Sequence, residues 1–122
     1  MAVEYLDLED LLRLTRDLGA GPVRDLGLLD SAAARPRSSA LGADAYPTLE
    51  LKAAAFLHSI ARNYALVDGN KRLAWLAVAV FLDVNRHPTG ADDEAAFKLV
   101  MSVAEGNDDV GDIAGRLRVS PL

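Results

Sequence analysis

Five consecutive residues in the middle of the chain, Asp68-Gly69-Asn70-Lys71-Arg72, have the types and spacing of an anion-binding turn. Asp-Gly is a strong turn signal because Gly69 adopts a positive φ without steric cost. Asn70 is a favoured N-cap residue, so a helix is predicted to begin there. Lys71 and Arg72 then fall in the first turn, where the helix dipole disfavours positive charge by roughly 0.3–1 kcal/mol. A bound phosphate would offset that cost, since it would meet free backbone N–H groups and two cations.

The same turn has a plainer interpretation, as an ordinary connection between two helices with solvated charges. Charged residues at helix starts are common, and Asp68 would compensate part of the unfavourable charge at Lys71 and Arg72. These five residues by themselves therefore leave two interpretations open, a phosphate site and a solvent-exposed turn.

Composition restricts the class of protein that could contain such a site. The chain has 122 residues, of which 51% are hydrophobic and 25% charged, as expected for one globular domain spanning 1–122. The net charge of −5 argues against direct binding of nucleic acid or of an anionic membrane surface, so any phosphate site must be local. The absence of cysteine excludes disulfides and zinc–thiolate sites. The longest apolar run, Leu73 to Leu82, is too short to span a bilayer, and we expect a cytoplasmic protein.

Helical periodicity dominates the rest of the chain, and no alternating strand pattern is present. Six helices are predicted, and they begin at or near Asp7, Asp25, Thr48, Asn70, Asp92 and Asp108. The fourth, at about 70–85, is apolar on nearly every side, which predicts a central and wholly buried helix. The segment 35–46 contains Pro, Ser and Gly without an apolar period, which predicts a long and functional loop. We therefore predict an all-α fold.

The segment 63–72, Asn-Tyr-Ala-Leu-Val-Asp-Gly-Asn-Lys-Arg, resembles the signature motif of the Fic/Doc superfamily, specifically its Doc branch. The similarity covers nearly the whole chain, because the segments 23–32, 45–48, 81–85 and 104–106 also resemble the corresponding segments of the family. The resemblance implies a compact all-helical domain of about six helices, with the motif at the N-terminus of a central buried helix. It also favours the phosphate site over the plain turn.

For the site, the resemblance implies ATP and Mg²⁺, with Asp68 holding the metal near the phosphates. Gly69, Asn70 and Lys71 lie where family members form an anion hole from backbone N–H groups. Lys71 and Arg72 lie where cations neutralise phosphate charge. These roles suit phosphoryl transfer, which depends on positioning and charge neutralisation more than on covalent participation.

Two positions favour the Doc branch over typical Fic enzymes. Lys71 stands where Fic enzymes have Gly, and Leu76 stands where they have a second Arg. The Doc resemblance implies a toxin kinase that transfers the γ-phosphoryl group of ATP to a threonine of elongation factor Tu and halts translation. It also implies a Phd-like antitoxin whose C-terminal segment occupies a groove on the toxin. The loop at 35–46 corresponds to the family's flap, which positions the target segment.

Tyr64 departs from the family pattern, since it occupies the position of the catalytic His, which accepts the proton of the target hydroxyl. An imidazole of pKa about 6.5 can do this at neutral pH, whereas a phenol of pKa about 10 is only about 0.1% ionised at pH 7. Neither His58 nor His87 is well placed to substitute. We therefore expect a chain that folds and binds nucleotide but transfers phosphate poorly or not at all. Tyr64 is either an introduced change or a natural one in a relative that acts by binding.

Three functions are compatible with the sequence. They are a Doc-type kinase inactivated at Tyr64, an AMP-transferring Fic enzyme, and a non-catalytic module that binds nucleotide or a partner. Lys71 and the missing second Arg disfavour AMP transfer, whereas Tyr64 favours the non-catalytic module. The identity of the target rests on the family resemblance and not on any residue of this chain.

Overall fold

The structure, a computed structural model, describes residues 2–121 and contains six α-helices within them. In chain order these are α1 (Leu8–Asp17), α2 (Leu26–Ala34), α3 (Leu49–Asn63), α4 (Asn70–Val84), α5 (Asp93–Ala104) and α6 (Val110–Arg116). The predicted all-α architecture of six helices is therefore confirmed. None of the helices in this part of the chain is both long and apolar enough to cross a membrane.

Side-chain caps explain where five of the six helices begin. In each of these five, an Asp or Thr oxygen accepts a backbone N–H from the first turn. The capping residues are Asp7, Asp25, Thr48, Asp92 and Asp109. The last helix was predicted to begin near Asp108, one residue before the observed cap. Asp108 instead accepts hydrogen bonds from Ser102 and Arg116, so it ties α6 to α5.

The core is built around α3, which packs against α2, α4, α5 and α6. Its buried side chains lie on most of its circumference and include Phe56, Leu57 and Ile60. α4 is the second central helix, and Leu73 and Phe81 on it are fully buried. The prediction that α4 is buried on every side is wrong, because α1, α3 and α5 cover only part of it. One apolar side of α4 stays partly exposed and borders a groove described below.

The segment predicted to be a loop, 35–46, contains short regular structure. A 3-10 turn covers Arg35–Arg37, and an antiparallel hairpin follows with strands β1 (Ser39–Ala40) and β2 (Ala43–Asp44). Leu41 and Gly42 at the hairpin turn have φ of 53° and 81°, the positive values that a type I′ turn requires at both central positions. Both strands are exposed, so no apolar alternation marked them in the sequence.

Two cations fix this hairpin to α3. Lys52 on α3 is only 3% exposed, and its Nζ donates to the Tyr46 carbonyl at 2.6 Å and to Asp44 Oδ2 at 3.1 Å. Arg35 donates to Tyr46 Oη and to His58 Nδ1, both at 2.9 Å. Burial lowers the pKa of His58, and the Arg35 charge lowers it further. His58 therefore has a structural partner here.

Candidate functional site

The loop between α3 and α4 reverses the chain through two left-handed residues. Tyr64 is the C-cap residue of α3, with φ 54° and ψ 45°, and it is 52% exposed. Gly69 immediately precedes α4 with φ 95°. Left-handed backbone is uncommon for residues other than Gly, and among these His, Asn and Asp adopt it most readily. Position 64 is therefore a place where the surrounding structure, and not the preference of Tyr, sets the backbone.

Asn70 is the first residue of α4 and not its N-cap, which corrects the sequence-based prediction. Its Oδ1 accepts the Leu66 N–H at 3.0 Å, and its Nδ2 donates to the Leu66 carbonyl at 2.9 Å. The Asn70 side-chain amide therefore stabilises the preceding loop at Leu66 and is not available to cap the helix. Gly69, at the N-cap position, has no side chain that could do so. Within residues 2–121, no hydrogen bond occupies the backbone N–H groups of 70–72.

Three charged side chains surround this open helix end. Arg72 Nη2 lies 3.5 Å from Asp68 Oδ2, and both side chains are largely exposed, at 53% and 84%. Arg72 also donates to the Leu18 carbonyl at 3.4 Å. Lys71 is exposed and forms no ion pair with any described residue. An exposed pair of this kind contributes at most about 1 kcal/mol, so Arg72 can exchange Asp68 for a ligand at little cost.

The structure brings all the residues predicted for the site to one cleft of about 260 Å³. Its lining includes Tyr64, Asp68, Gly69, Asn70, Lys71 and Arg72, together with Ala61, Val67 and Ala104. The last three were not predicted, because a small apolar residue in a helix or loop gives no sign of a site. Neither histidine lines the cleft.

Asp68 provides the acidic group in this cleft. The described residues contain no cluster of three or more His, Cys, Asp or Glu side chains that could hold a metal by themselves. Mg²⁺, however, is commonly held by one or two carboxylates together with substrate phosphates and water. A single carboxylate beside an anion site fits that arrangement.

A distant segment, 20–25, supports the loop from outside. Gly21 N–H donates to the Asp68 carbonyl at 2.8 Å, and Val67 N–H donates to the Pro22 carbonyl at 2.9 Å. A Cβ added to Gly69 would lie 2.5 Å from the Cβ of Ala20. These contacts join residues more than forty positions apart, so no local sequence pattern could have predicted them.

A second cavity, of about 540 Å³, lies beside the cleft as an apolar groove between α4 and α5. Its α4 side runs from Lys71 and Arg72 through Trp75 to Ala79. On the α5 side, Phe97 is 66% exposed. The remaining lining residues are Leu18, Leu76, Asp93, Ala96, Val100 and Met101. Lys71 and Arg72 therefore border both the cleft and the groove.

Comparison with known proteins gives two matches. A family profile described as Fic/DOC family matches residues 5–82, more than half of the chain and the whole loop between α3 and α4. The chain is also 49% identical over 118 residues to a protein named Toxin Doc from Mycolicibacterium smegmatis (strain ATCC 700084 / mc(2)155). That alignment covers 93% of this chain and 91% of the Mycolicibacterium protein.

The close approach of Ala20 to Gly69 predicts a large effect of a single methyl group. Gly69→Ala should lower the free energy of unfolding by roughly 2–5 kcal/mol, because it adds left-handed backbone strain to steric overlap with Ala20. Chemical denaturation followed by circular dichroism measures this change.

Gly115→Ala is the matched control, because Gly115 lies in α6, and a Cβ there would meet no atom within 4 Å apart from its chain neighbours and the backbone of its own helix. We expect this variant to be as stable as the original chain or more stable by up to about 1 kcal/mol. Equal stability of the Gly69 and Gly115 variants would contradict the described packing of segment 20–25.

Proposed function

The chain belongs to the Fic/DOC family, and on this premise we propose that it is the toxin of a toxin–antitoxin pair, with a cleft that binds the phosphates of ATP·Mg²⁺. The observation that carries the proposal is the open first turn of α4. Its backbone N–H groups at 70–72 lack protein partners in the described chain, and Lys71 and Arg72 stand beside them. Together these groups are what a phosphate oxygen requires.

In this proposal, each residue of the motif has a distinct task. The N–H groups of the first turn donate to phosphate oxygens, and the α4 dipole favours the negative charge there. Lys71 and Arg72 neutralise the charge that spreads over the phosphate during transfer. Asp68 would hold Mg²⁺ together with phosphate oxygens. When bound, Mg²⁺ would supply further charge neutralisation on the phosphates.

Tyr64 determines how much transfer this chain can carry out. The acceptor hydroxyl must lose a proton, and a phenol is a poor proton acceptor at neutral pH. We therefore propose that the chain binds ATP·Mg²⁺ but transfers slowly. The left-handed backbone at position 64 is one that His adopts more readily than most residues, which supports His as a residue suited to this position.

We propose transfer of the γ-phosphoryl group to a threonine of elongation factor Tu, and this identification rests on the family resemblance. The hairpin formed by β1 and β2 supports a role in holding an extended target segment. It is a sheet of only two strands, and Leu41 at its turn is fully exposed. Such an edge can pair with another extended chain.

We propose the apolar groove between α4 and α5 as the surface for the antitoxin. Trp75, Leu76 and Phe97 offer an aromatic and aliphatic lining that suits the apolar face of an amphipathic helix. Lys71 and Arg72 at the start of its α4 side favour a partner segment that carries an acidic residue there.

Tyr64→His is the variant that tests the proposed activity. With ATP, Mg²⁺ and purified elongation factor Tu, it should transfer about 100-fold faster than the original chain or more, because imidazole can accept the hydroxyl proton. Intact-mass spectrometry should show a gain of one phosphoryl group on the target. Adding Lys71→Met to this variant should weaken ATP binding and abolish the gain.

Each other outcome of this experiment has a definite meaning. A gain of one AMP group would identify an AMP-transferring enzyme and refute the kinase assignment. ATP binding without any modification by the Tyr64→His variant would leave the non-catalytic binding module as the function. Absence of ATP binding in both proteins would contradict the phosphate site itself.

Phe97→Asp tests the groove as the antitoxin surface. Because aromatic residues in a groove carry much of the binding energy, this variant should bind the antitoxin encoded beside the toxin gene at least about 10-fold more weakly. Isothermal titration calorimetry measures the dissociation constant. Val84→Asp is the control, since Val84 is an exposed apolar residue that does not line the groove. Equal weakening by the two variants would argue against the groove.

A further inference from the structure

Arg24 connects the segment before α2 to the end of α3. Its Nε donates to the Tyr64 carbonyl at 2.8 Å, and its Nη2 donates to the Asn63 carbonyl at 3.5 Å. Its backbone N–H donates to the Ala65 carbonyl at 2.7 Å, which also accepts the Asp25 N–H at 3.0 Å. A single residue therefore contacts three successive carbonyls centred on position 64.

These contacts act where the backbone most needs support. The last carbonyls of a helix have no partners inside the helix, and the negative end of the dipole favours a cation there. Tyr64 also has left-handed backbone, which persists in a residue other than Gly only when its surroundings fix it. The Arg24 guanidinium supplies both a positive charge and hydrogen bonds at this point.

The other half of the loop is held by different contacts. The side chain of Asn70 is hydrogen-bonded to both backbone groups of Leu66. Gly21 N–H donates to the Asp68 carbonyl, and Val67 N–H donates to the Pro22 carbonyl. Arg24 does not line the cleft. The Arg24 side chain therefore acts on the carbonyls of residues 63 and 64 only. The backbone bonds of Arg24 to Ala65 and of Val67 to Pro22 belong to one β-bridge between Val23 and Leu66, which does not involve that side chain.

We propose that Arg24 is a positioning residue, which holds the side chain at position 64 beside the cleft without contributing to phosphate binding. Its effect on catalysis rests on the proposed function, whereas its effect on the conformation of residue 64 does not. The two effects can therefore be measured separately, and the effect on conformation is measured in the chain that retains Tyr64.

Fluorine NMR of protein labelled with 3-fluorotyrosine measures the conformational effect. The chain has three tyrosines, Tyr5, Tyr46 and Tyr64, and Tyr64→Phe identifies the third resonance. Arg24→Met keeps an unbranched stem but removes the donors, so it should shift or broaden the Tyr64 resonance alone. Arg13→Met is the control, because Arg13 is an exposed residue of α1 whose side chain forms no hydrogen bond or ion pair with the carbonyls of 63–65 or with any other described residue.

Arg24→Lys keeps the positive charge but not the planar pair of donors, so we expect an intermediate change. If Arg24→Met does not fold, the same measurement is made on Arg24→Lys. A Tyr64 resonance that is unchanged in the folded Arg24 variant would overturn the proposal, and so would equal changes at all three tyrosines.

The catalytic effect is measured after Tyr64→His. Adding Arg24→Met should slow transfer by about tenfold or more while the Kd for ATP stays within about twofold, since only the reacting side chain is misplaced. A Kd that weakens as much as the rate falls would overturn the positioning role. If Tyr64→His shows no transfer at all, the proposed function fails, and the fluorine spectra still decide the role of Arg24.

Discussion

The hydrogen bonds between the Asn70 side chain and the Leu66 backbone are the contact on which the site depends. Asn at the N-cap position stabilises a helix through its side chain, and loss of such a cap costs about 1 kcal/mol. Here the side-chain amide of Asn70 is hydrogen-bonded to Leu66, which precedes the helix, and Gly69 has no side chain that could cap the helix instead. Among the six helices of residues 2–121, α4 therefore begins without a side-chain cap, whereas side chains cap the other five. An anion is the ligand that such an end stabilises best.

The same loop organises the surroundings of the cleft. Its left-handed ends place Tyr64 on one side and the start of α4 on the other. Lys71 and Arg72 then border both the cleft and the apolar groove. In the proposed function, an antitoxin segment in the groove and a nucleotide in the cleft would contact the same two cations. Their affinities for the chain would then be linked, and such linkage is reciprocal.

Local patterns predicted the helices well, because an Asp or Thr cap beside a periodic apolar run is enough to indicate where a helix begins. The resemblance correctly indicated the family, and its motif residues lie together in the structure. The sequence could not reveal the bond that diverts Asn70 from capping, the burial of Lys52 or the support of Asp68 by Gly21. Each depends on a partner whose position only the complete fold determines. The hairpin at 39–44 was missed because both its strands are exposed.

The most direct test of the phosphate site is a titration of the ¹⁵N-labelled chain with ATP and Mg²⁺, followed through backbone amide resonances. The uncapped start of α4 predicts large, saturable shifts for the amides of 70–72. The start of α5, which Asp92 caps, should show none and is the internal reference. Shifts at α5 as large as those at α4, or saturation with the amides of 70–72 unmoved, would contradict the account.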